Sequence, residues 1–202
     1  MGKTILFQGD SITDTGRREA STDFLGKGYV HKIADILAAR DASVQVINRG
    51  ISGNRVVDLV ARWQEDCIDL NPDVLTILIG INDCWRKYDS NDPTPVEAFE
   101  ANYDAILTQV RAKTKATIFL MEPYVLPVPA DRLQWRETLD PQIQAVRRLA
   151  KKHRTHLIPL DAIFAIAAID CDYTDLTVDG VHPTDAGHEL ICREWLRAYD
   201  AL

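Results

Sequence analysis

The segment Val74–Ile79 has the sequence Val-Leu-Thr-Ile-Leu-Ile, and Gly80-Ile81-Asn82-Asp83 follows it directly. A run of aliphatic residues interrupted only by one threonine is typical of a strand that is buried on both faces, as in a parallel sheet covered by helices. Parallel neighbours in such a sheet must be joined by crossover connections, which are usually helices. Strand-like and helix-like segments are therefore expected to alternate on either side of this segment.

Two strand-and-helix pairs precede the segment. Short apolar or β-branched runs predict strands at Ile5–Phe7 and Val44–Ile47. Apolar residues at helical spacing follow each run: Val30, Ile33, Ala34 and Leu37 after the first, and Val56, Leu59, Val60, Trp63 and Cys67 after the second. Each pair is the β-then-α unit from which parallel sheets are built.

The same alternation continues downstream. Strands are predicted at Thr117–Met121 and His156–Leu160, and the last helix at Thr184–Ala201. Two further helical stripes are Phe99, Tyr103, Ile106, Leu107 and Val110, and Leu139, Ile143, Val146 and Ala150. With right-handed crossovers, these units predict a three-layer α/β/α sandwich around a five-stranded parallel sheet. No linker or low-complexity tract divides the chain, so residues 1–202 are expected to form a single domain.

Composition and charge exclude several kinds of partner. The 202 residues carry a formal net charge of −7, and 46% of them are hydrophobic, as in an ordinary globular protein. Nucleic-acid binding depends on clustered lysine and arginine side chains, and anionic membranes attract the same residues. We therefore expect neither a nucleic-acid partner nor a membrane partner, while a homo-oligomer stays open.

The cysteines and the N-terminus indicate a reducing compartment. The four cysteines, at positions 67, 84, 171 and 192, form no Cys-x-x-Cys pair, and a domain of this size does not depend on disulfides. The N-terminal residues enter a strand-like run and lack the features of a secretory signal. The longest wholly apolar run, Ala162–Ile169, is too short to span a bilayer. These features predict a cytoplasmic protein.

Polar residues and glycines collect where the strands end. In open parallel sheets, ligands bind beyond the carboxyl ends of the strands. The segments expected there are Gly9–Asp14, Asn48–Asn54, Gly80–Asp83 and Glu122–Tyr124, together with Asp179–Pro183 before the last helix. The longest connection is Gly80–Pro95, which we interpret as a surface loop.

Ser11 and His182 are candidates for a nucleophile and its base. Ser11 follows a glycine and an aspartate at a strand-to-helix turn, where it can also serve simply as a helix cap. A nucleophilic serine needs a base, and His182 is the histidine in a loop that has a carboxylate, Asp179, three residues before it. One turn can place that carboxylate against the imidazole and fix its tautomer. An isolated Asp-x-x-His sequence also fits a turn or an N-cap.

The region from Asp179 to Glu189 could also be considered as a metal site. Five potential ligands are close in sequence: Asp179, His182, Asp185, His188 and Glu189. They lack a recognised metal-ligand spacing, and Pro183 interrupts any helix that would align the two histidines.

Serine hydrolysis needs hydrogen-bond donors for a tetrahedral oxyanion. Three are available at strand ends: the backbone N–H of Ser11, the backbone N–H of Gly53 and the side-chain amide of Asn82.

These residues together resemble the sequence blocks of the SGNH (GDSL-type) hydrolase family. The matching segments are Gly9-Asp10-Ser11, Gly53, Gly80-Ile81-Asn82-Asp83 and Asp179-Gly180-Val181-His182, in the family's order and at similar spacing. Ile12 stands where the family's usual motif has leucine. Within the family, segments 48–59 and 79–88 are most similar to acetylxylan esterase-like carbohydrate esterases. The resemblance implies the family's flavodoxin-like SGNH hydrolase fold.

The resemblance also implies roles for individual residues. Ser11 would be the nucleophile, His182 the base and Asp179 its orienting acid, while Ser11, Gly53 and Asn82 would form the oxyanion hole. No cofactor and no metal are implied. Trp85, Tyr124 and Arg55 fall in or beside the strand-end loops and are weaker candidates for binding the substrate; Asp10 is expected to buttress its loop.

The expected activity is hydrolysis of short-chain acetyl esters of sugars or oligosaccharides. A lipid-directed acylhydrolase, such as a lysophospholipase, or a thioesterase is the alternative within the same enzyme class. A carbohydrate-binding module without catalysis is a third possibility, which the presence of nucleophile, base and oxyanion residues disfavours.

Overall fold

The computed structural model describes residues 2–202, in which five strands form one parallel sheet. The strands are β1 (Thr4–Gly9), β2 (Gln45–Asn48), β3 (Val74–Leu78), β4 (Thr117–Met121) and β5 (His156–Ile158). Their order across the sheet is β2-β1-β3-β4-β5, and every neighbouring pair is parallel. The predicted fold class is confirmed, and the strands agree with the sequence prediction to within two residues at each end.

Helices connect the strands. They are α1 (Ser11–Asp14), α2 (Tyr29–Arg40), α3 (Val56–Trp63), α4 (Ile81–Asp89), α5 (Val96–Lys113), α6 (Arg136–His153), α7 (Leu160–Ala167), α8 (Tyr173–Leu176) and α9 (Asp185–Tyr199). A π-helical segment, Gln64–Ile68, extends α3, and 3-10 turns lie at Ala20–Thr22 and Ala130–Trp135. None of the helices described between residues 2 and 202 is both long enough and apolar enough to cross a bilayer.

Alternation of side chains along the strands separates two hydrophobic cores. Ile5 and Phe7 of β1 pack with α2 and α9, whereas Leu6 between them packs with α3 and α5 on the opposite face. Trp195 of α9 crosses onto the central strand, where its indole N–H donates to the Thr76 hydroxyl at 2.8 Å. Both faces of the sheet are thus covered, which explains why every residue of β3 is buried.

The interpretation of Gly80–Pro95 as a loop is wrong over most of its length, because α4 begins at Ile81. Ile81, Cys84, Trp85 and Tyr88 have the helical spacing of one buried face, so the signal was present in the sequence. The consequence for the site is direct. Asn82 and Asp83 lie in the first turn of a helix rather than in a flexible connection.

Candidate active site

Ser11 is the first residue of α1 and lies just beyond the carboxyl end of β1, which is next to the central strand β3. Asp10 caps this helix: its side-chain Oδ1 accepts a hydrogen bond from the N–H of Ile12 at 3.0 Å. The hydroxyl oxygen of Ser11 lies 2.9 Å from Nε2 of His182. The strand-to-helix turn therefore directs the hydroxyl towards the histidine, although the two residues are 171 positions apart.

Asp179 fixes His182 from the other side. Its Oδ2 lies 2.8 Å from Nδ1 of the imidazole, and its Oδ1 accepts hydrogen bonds from the N–H groups of Val181 (3.0 Å) and His182 (2.8 Å). Burial acts to raise the pKa of Asp179, but these hydrogen bonds outweigh it and lower the pKa to about 2. The hydrogen bond to Asp179 raises the pKa of His182 above its ordinary value, against partial burial.

The segment that carries these two residues is anchored to the core. Gly180 has φ = +87°, and a Cβ there would lie 2.4 Å from the backbone oxygen of Leu126, so glycine is required. The N–H of Leu126 donates to the Gly180 oxygen at 2.9 Å, and the hydroxyl of Tyr124 donates to the Val181 oxygen at 2.9 Å. These hydrogen bonds therefore fix the positions of Asp179 and His182 relative to the core.

Gly53 and Asn82 lie on neighbouring segments that are hydrogen-bonded to each other. Gly53 has φ = +83°, a conformation that favours glycine. The side-chain amide of Asn82 donates to the backbone oxygen of Asn54 at 3.0 Å, which uses one of its two N–H bonds. Within residues 2–202, the backbone N–H groups of Ser11 and Gly53 donate no hydrogen bond. The N–H groups of Ser11 and Gly53 and the second N–H of the Asn82 amide are thus three donors without a partner among the described residues.

Two buried carboxylates lie beside these donors. Asp10 and Asp83 have no exposed surface, and burial raises the pKa of each to about 7. Each uses one oxygen to accept a backbone N–H at the start of a helix, Ile12 for Asp10 and Val56 for Asp83. Among the described residues, the other oxygen of each carboxylate has no partner. Asp10 therefore supports the turn that contains Ser11.

Among the weaker candidates for substrate binding, the prediction for Tyr124 is wrong. It is 0% exposed, and its ring stacks on Phe164 with centroids 3.9 Å apart, so it cannot contact a ligand. The sequence placed it correctly after β4 but gave no sign that the ring turns inward. Arg55 is half-buried and forms an ion pair with Asp92 at 2.8 Å. Trp85 is also half-buried, and its ring lies 5.8 Å from that of His182.

An aromatic cleft adjoins His182. We use this name for a depression of about 370 Å³ that is lined by Trp85, Tyr88, Asp89, Asp131, Arg132, Gln134 and Trp135. The guanidinium of Arg132 lies over the rings of Trp85 (5.4 Å) and Trp135 (4.2 Å), while its Nε donates to the backbone oxygen of Asp179 at 3.3 Å. Sequence reasoning missed Arg132, because no motif marks a residue that joins two segments in this way.

His188 is directed away from Ser11 and towards α2. Its Nδ1 accepts a hydrogen bond from the N–H of Tyr29 at 3.2 Å, and burial lowers the pKa of His188 to about 4. Asp185 forms an ion pair with Lys32 instead of facing His182. Across the part of the chain that the structure describes, no group of three or more His, Cys, Asp or Glu side chains is arranged to hold a metal ion.

Comparison with known proteins gives consistent matches along nearly the whole chain. The model of the GDSL-like Lipase/Acylhydrolase family matches residues 7–190. An acetylxylan esterase from Geobacillus stearothermophilus is 37% identical over 205 residues, which cover 97% of this chain and 93% of that protein.

Solved structures agree with the sequence matches. The crystal structure of Axe2, an acetylxylan esterase from Geobacillus stearothermophilus, superposes with a TM-score of 0.88 at 35% identity, covering 98% of this chain and 94% of that one. A candidate GDSL-like lipase from Parabacteroides merdae gives a TM-score of 0.92 at 35% identity, over 99% and 97% of the two chains. The protein described here therefore belongs to the GDSL-like lipase/acylhydrolase family and is a carboxylic ester hydrolase.

Proposed function

We propose that the protein hydrolyses acetyl esters of sugars or oligosaccharides through an acyl-enzyme on Ser11. The observation that carries the proposal is the continuous chain of hydrogen bonds from the Ser11 hydroxyl through His182 to Asp179, at 2.9 Å and 2.8 Å. Crystal structures of Axe2 solved as catalytic mutants have alanine in place of a serine, an aspartate or a histidine, the last two three positions apart. Asp179 and His182 have the same spacing.

Acylation begins at the ester carbonyl. Nε2 of His182 removes the proton of the Ser11 hydroxyl as its oxygen forms a bond to the carbonyl carbon, and the carbonyl oxygen takes up the electron pair. The imidazolium is stabilised by Asp179, whose low pKa keeps it ionised. The tetrahedral intermediate then breaks its bond to the alcohol oxygen, which receives the proton from His182 and leaves.

Deacylation repeats these steps with water. His182 accepts a proton from the water, the resulting oxygen attacks the acyl carbon, and collapse of the second intermediate returns the proton to Ser11 and releases the carboxylic acid. In both halves, the negative oxygen is assigned to the N–H groups of Ser11 and Gly53 and the amide of Asn82. These donors are fixed before the reaction begins, so they need no reorganisation as charge develops.

The aromatic cleft is the basis for assigning a sugar as the alcohol part of the ester. Trp85 connects the cleft to His182, the group that protonates the leaving alcohol. Trp85 is half-buried and keeps ring surface for the apolar face of a sugar, whereas Trp135 is buried beneath Arg132 and Tyr88. The carboxylates and amide of the cleft suit hydroxyl groups. Arg55, whose guanidinium pairs with Asp92, is assigned as a weaker contact. The similarity to acetylxylan esterases supports this class of substrate.

A lipid-directed acylhydrolase or thioesterase is the alternative within this family. A lipid-directed enzyme needs a large apolar surface for its acyl chain, whereas the rim residues Asp89, Asp131 and Gln134 of the cleft are polar. The cleft therefore favours a hydroxylated alcohol over a lipid.

Two measurements test the proposal. Wild-type protein should be labelled by a fluorophosphonate, and Ser11→Ala should lose both the label and hydrolysis of p-nitrophenyl acetate by several orders of magnitude. A Ser11→Ala protein that retains most of its activity would overturn the acyl-enzyme mechanism.

A panel of acetylated sugars tests whether the alcohol part of the ester is a sugar. Trp85→Ala should reduce kcat/KM for sugar acetates more than for p-nitrophenyl acetate. Equal losses on both substrates would overturn the sugar assignment.

A further inference from the structure

The residues on both sides of Gly53 are held by carboxylates from two different helices. On one side, Oδ2 of Asp14 accepts hydrogen bonds from the N–H of Ser52 at 2.9 Å and from its hydroxyl at 2.8 Å. On the other side, Oδ2 of Asp83 accepts a hydrogen bond from the N–H of Val56 at 3.0 Å. Gly53 thus lies in a short span of backbone that is fixed at both ends.

The space on the side-chain side of Gly53 is open. The nearest atom to a Cβ built at Gly53 is a guanidinium nitrogen of Arg86 at 3.8 Å. A Cβ built at Gly50, three residues earlier on the same loop, would lie 2.5 Å from the backbone nitrogen of Asp14. The first part of the loop is therefore packed tightly against α1, whereas its tip depends on hydrogen bonds for its position.

The two helices that hold this tip also carry the other two oxyanion donors. Ser11 begins α1, and Asp14 ends it. Asn82 and Asp83 are neighbours in the first turn of α4. Each carboxylate consequently ties the Gly53 segment to the element on which another donor is fixed.

We propose that Asp14 and Asp83 are positioning residues that set the Gly53 N–H relative to the donors of Ser11 and Asn82. The inference rests on the proposed function, since it assumes that these three groups bind the oxyanion. Catalytic donors need to be held to about 0.5 Å, and a displacement of about 1 Å can reduce the rate about a hundredfold. Loss of either carboxylate should therefore weaken binding of the transition state more than binding of the substrate.

The experiment replaces each carboxylate and separates kcat from KM. For Asp14→Ala and Asp83→Ala we expect kcat for p-nitrophenyl acetate to fall about tenfold or more, with KM changed less than about twofold. Asp83→Asn keeps an oxygen that can accept from Val56 and should retain most of the activity. Asp41→Ala is the matched control, because Asp41 accepts a hydrogen bond from the N–H of Ser43 at 2.9 Å in a turn before β2.

A boronic acid gives a second readout that a merely structural role would not change. Phenylboronic acid accepts the Ser11 oxygen at boron while His182 takes the serine proton, and the adduct is a tetrahedral anion like the intermediate. Its inhibition constant should rise in parallel with the loss of kcat in Asp14→Ala and Asp83→Ala, and stay unchanged in Asp41→Ala.

The possible failures are distinguishable. Unchanged kcat in Asp14→Ala and Asp83→Ala, or a rise in KM alone, would overturn the positioning role while Ser11→Ala remains inactive. An active Ser11→Ala protein would instead overturn the proposed function. If Asp83→Ala does not fold, the half-buried Asp14 carries the test, and an Asp14→Ala enzyme with wild-type kcat and boronate affinity overturns the inference.

Discussion

The hydroxyl of Tyr124 donates a hydrogen bond of 2.9 Å to the backbone oxygen of Val181, in the segment that joins Asp179 to His182. Tyr124 follows β4, and its stacking on Phe164 of α7 places it in the core on one side of the sheet. This single contact therefore connects the packed interior to the loop that orients the imidazole. A residue that sequence reasoning had assigned to the substrate instead supports the loop from beneath.

We expect Tyr124→Phe to destabilise the protein and to reduce kcat without raising KM. The substitution leaves a buried carbonyl oxygen without its donor, which costs about 1–3 kcal/mol. Chemical denaturation should detect the change in unfolding free energy, and steady-state kinetics the change in kcat. A Tyr124→Phe enzyme with wild-type stability and a higher KM would show that the hydroxyl reaches the substrate after all.

Asn82→Ala should lower kcat by roughly 10²–10³, the usual cost of removing an oxyanion donor, with a smaller change in KM. The side-chain amide meets a negative charge that exists only in the transition state, so the ground-state complex loses little. The same substitution removes the hydrogen bond to Asn54, which acts in the same direction. A raised KM at constant kcat would make Asn82 a substrate-binding residue.

The rate should rise with pH, with a midpoint above 6.5, the ordinary pKa of histidine. His182 must be neutral to act as a base, and the hydrogen bond that its Nδ1–H donates to Asp179 favours the charged imidazolium and raises the pKa of His182. Replacing the partner, in Asp179→Asn, should lower the midpoint and also reduce kcat. The measurement is kcat/KM between pH 5 and pH 9. A midpoint that does not move in Asp179→Asn would assign the titration to another group.

Asp10→Asn should make the stability of the protein less sensitive to a rise in pH from about 4 to about 7. Burial raises the pKa of Asp10 to about 7, from an ordinary value of 3.8, so the folded state binds its proton more tightly than the unfolded state. For such a group, stability falls as pH rises from the unfolded pKa to the folded pKa. The asparagine can still accept from Ile12 but carries no charge. Its melting temperature relative to wild type should therefore increase between pH 5 and pH 8.

The control for this prediction is Asp41→Asn. Asp41 is exposed, and its hydrogen bonds to Ser43 lower its pKa, so it is ionised in both states across that pH range. Its melting temperature relative to wild type should be the same at pH 5 and pH 8. A constant difference for Asp10→Asn as well would mean that Asp10 does not take up a proton in the folded protein within this range.

The alternation of strands and helices along the chain was predictable because the central strands are largely apolar runs. Val74–Ile79 and Thr117–Met121 have this pattern, and helical stripes separate the strands, so the fold class followed from periodicity alone. Helix α4 was missed because the glycine and asparagine that precede its apolar face were interpreted as a loop. Polar residues at the start of a helix resemble a turn unless the helical spacing of the apolar residues around them is considered.

The candidate site was predictable to the extent that it lies at strand ends. Ser11, Gly53 and Asn82 each follow a strand, and Asp179 and His182 form a local motif. The supporting contacts were not predictable, because Tyr124, Arg132 and Asp14 act through hydrogen bonds to backbone atoms that are distant in sequence. No residue pattern encodes such a contact, since any donor or acceptor of suitable reach would satisfy it.

Acetyl esters should be cleaved faster than butyryl or octanoyl esters of the same alcohol. Ile12 follows Ser11 in the chain and Val181 precedes His182, and both belong with Tyr124 to one buried core that has almost no exposed surface. The His182 side chain, in contrast, is 39% exposed, so the site opens directly to solvent. A longer acyl chain would have to lie along the surface or displace packed groups. Each further methylene would then stay in water and lose about 0.8 kcal/mol of binding free energy that burial could provide.

The measurement is kcat/KM for p-nitrophenyl acetate, butyrate and octanoate, below the aggregation limit of the longest ester. Because the alcohol is constant, differences in leaving-group chemistry do not enter, and the trend reports the acyl side alone. Ile12→Ala opens space in the core next to Ser11 and should narrow the gap in kcat/KM between acetate and butyrate; Ile36→Ala, at a partly buried position of α2, is the control. If wild-type rates are equal from acetate to octanoate, an acyl-binding surface exists beside Ser11, and the lipid-directed alternative replaces the proposed acetyl specificity.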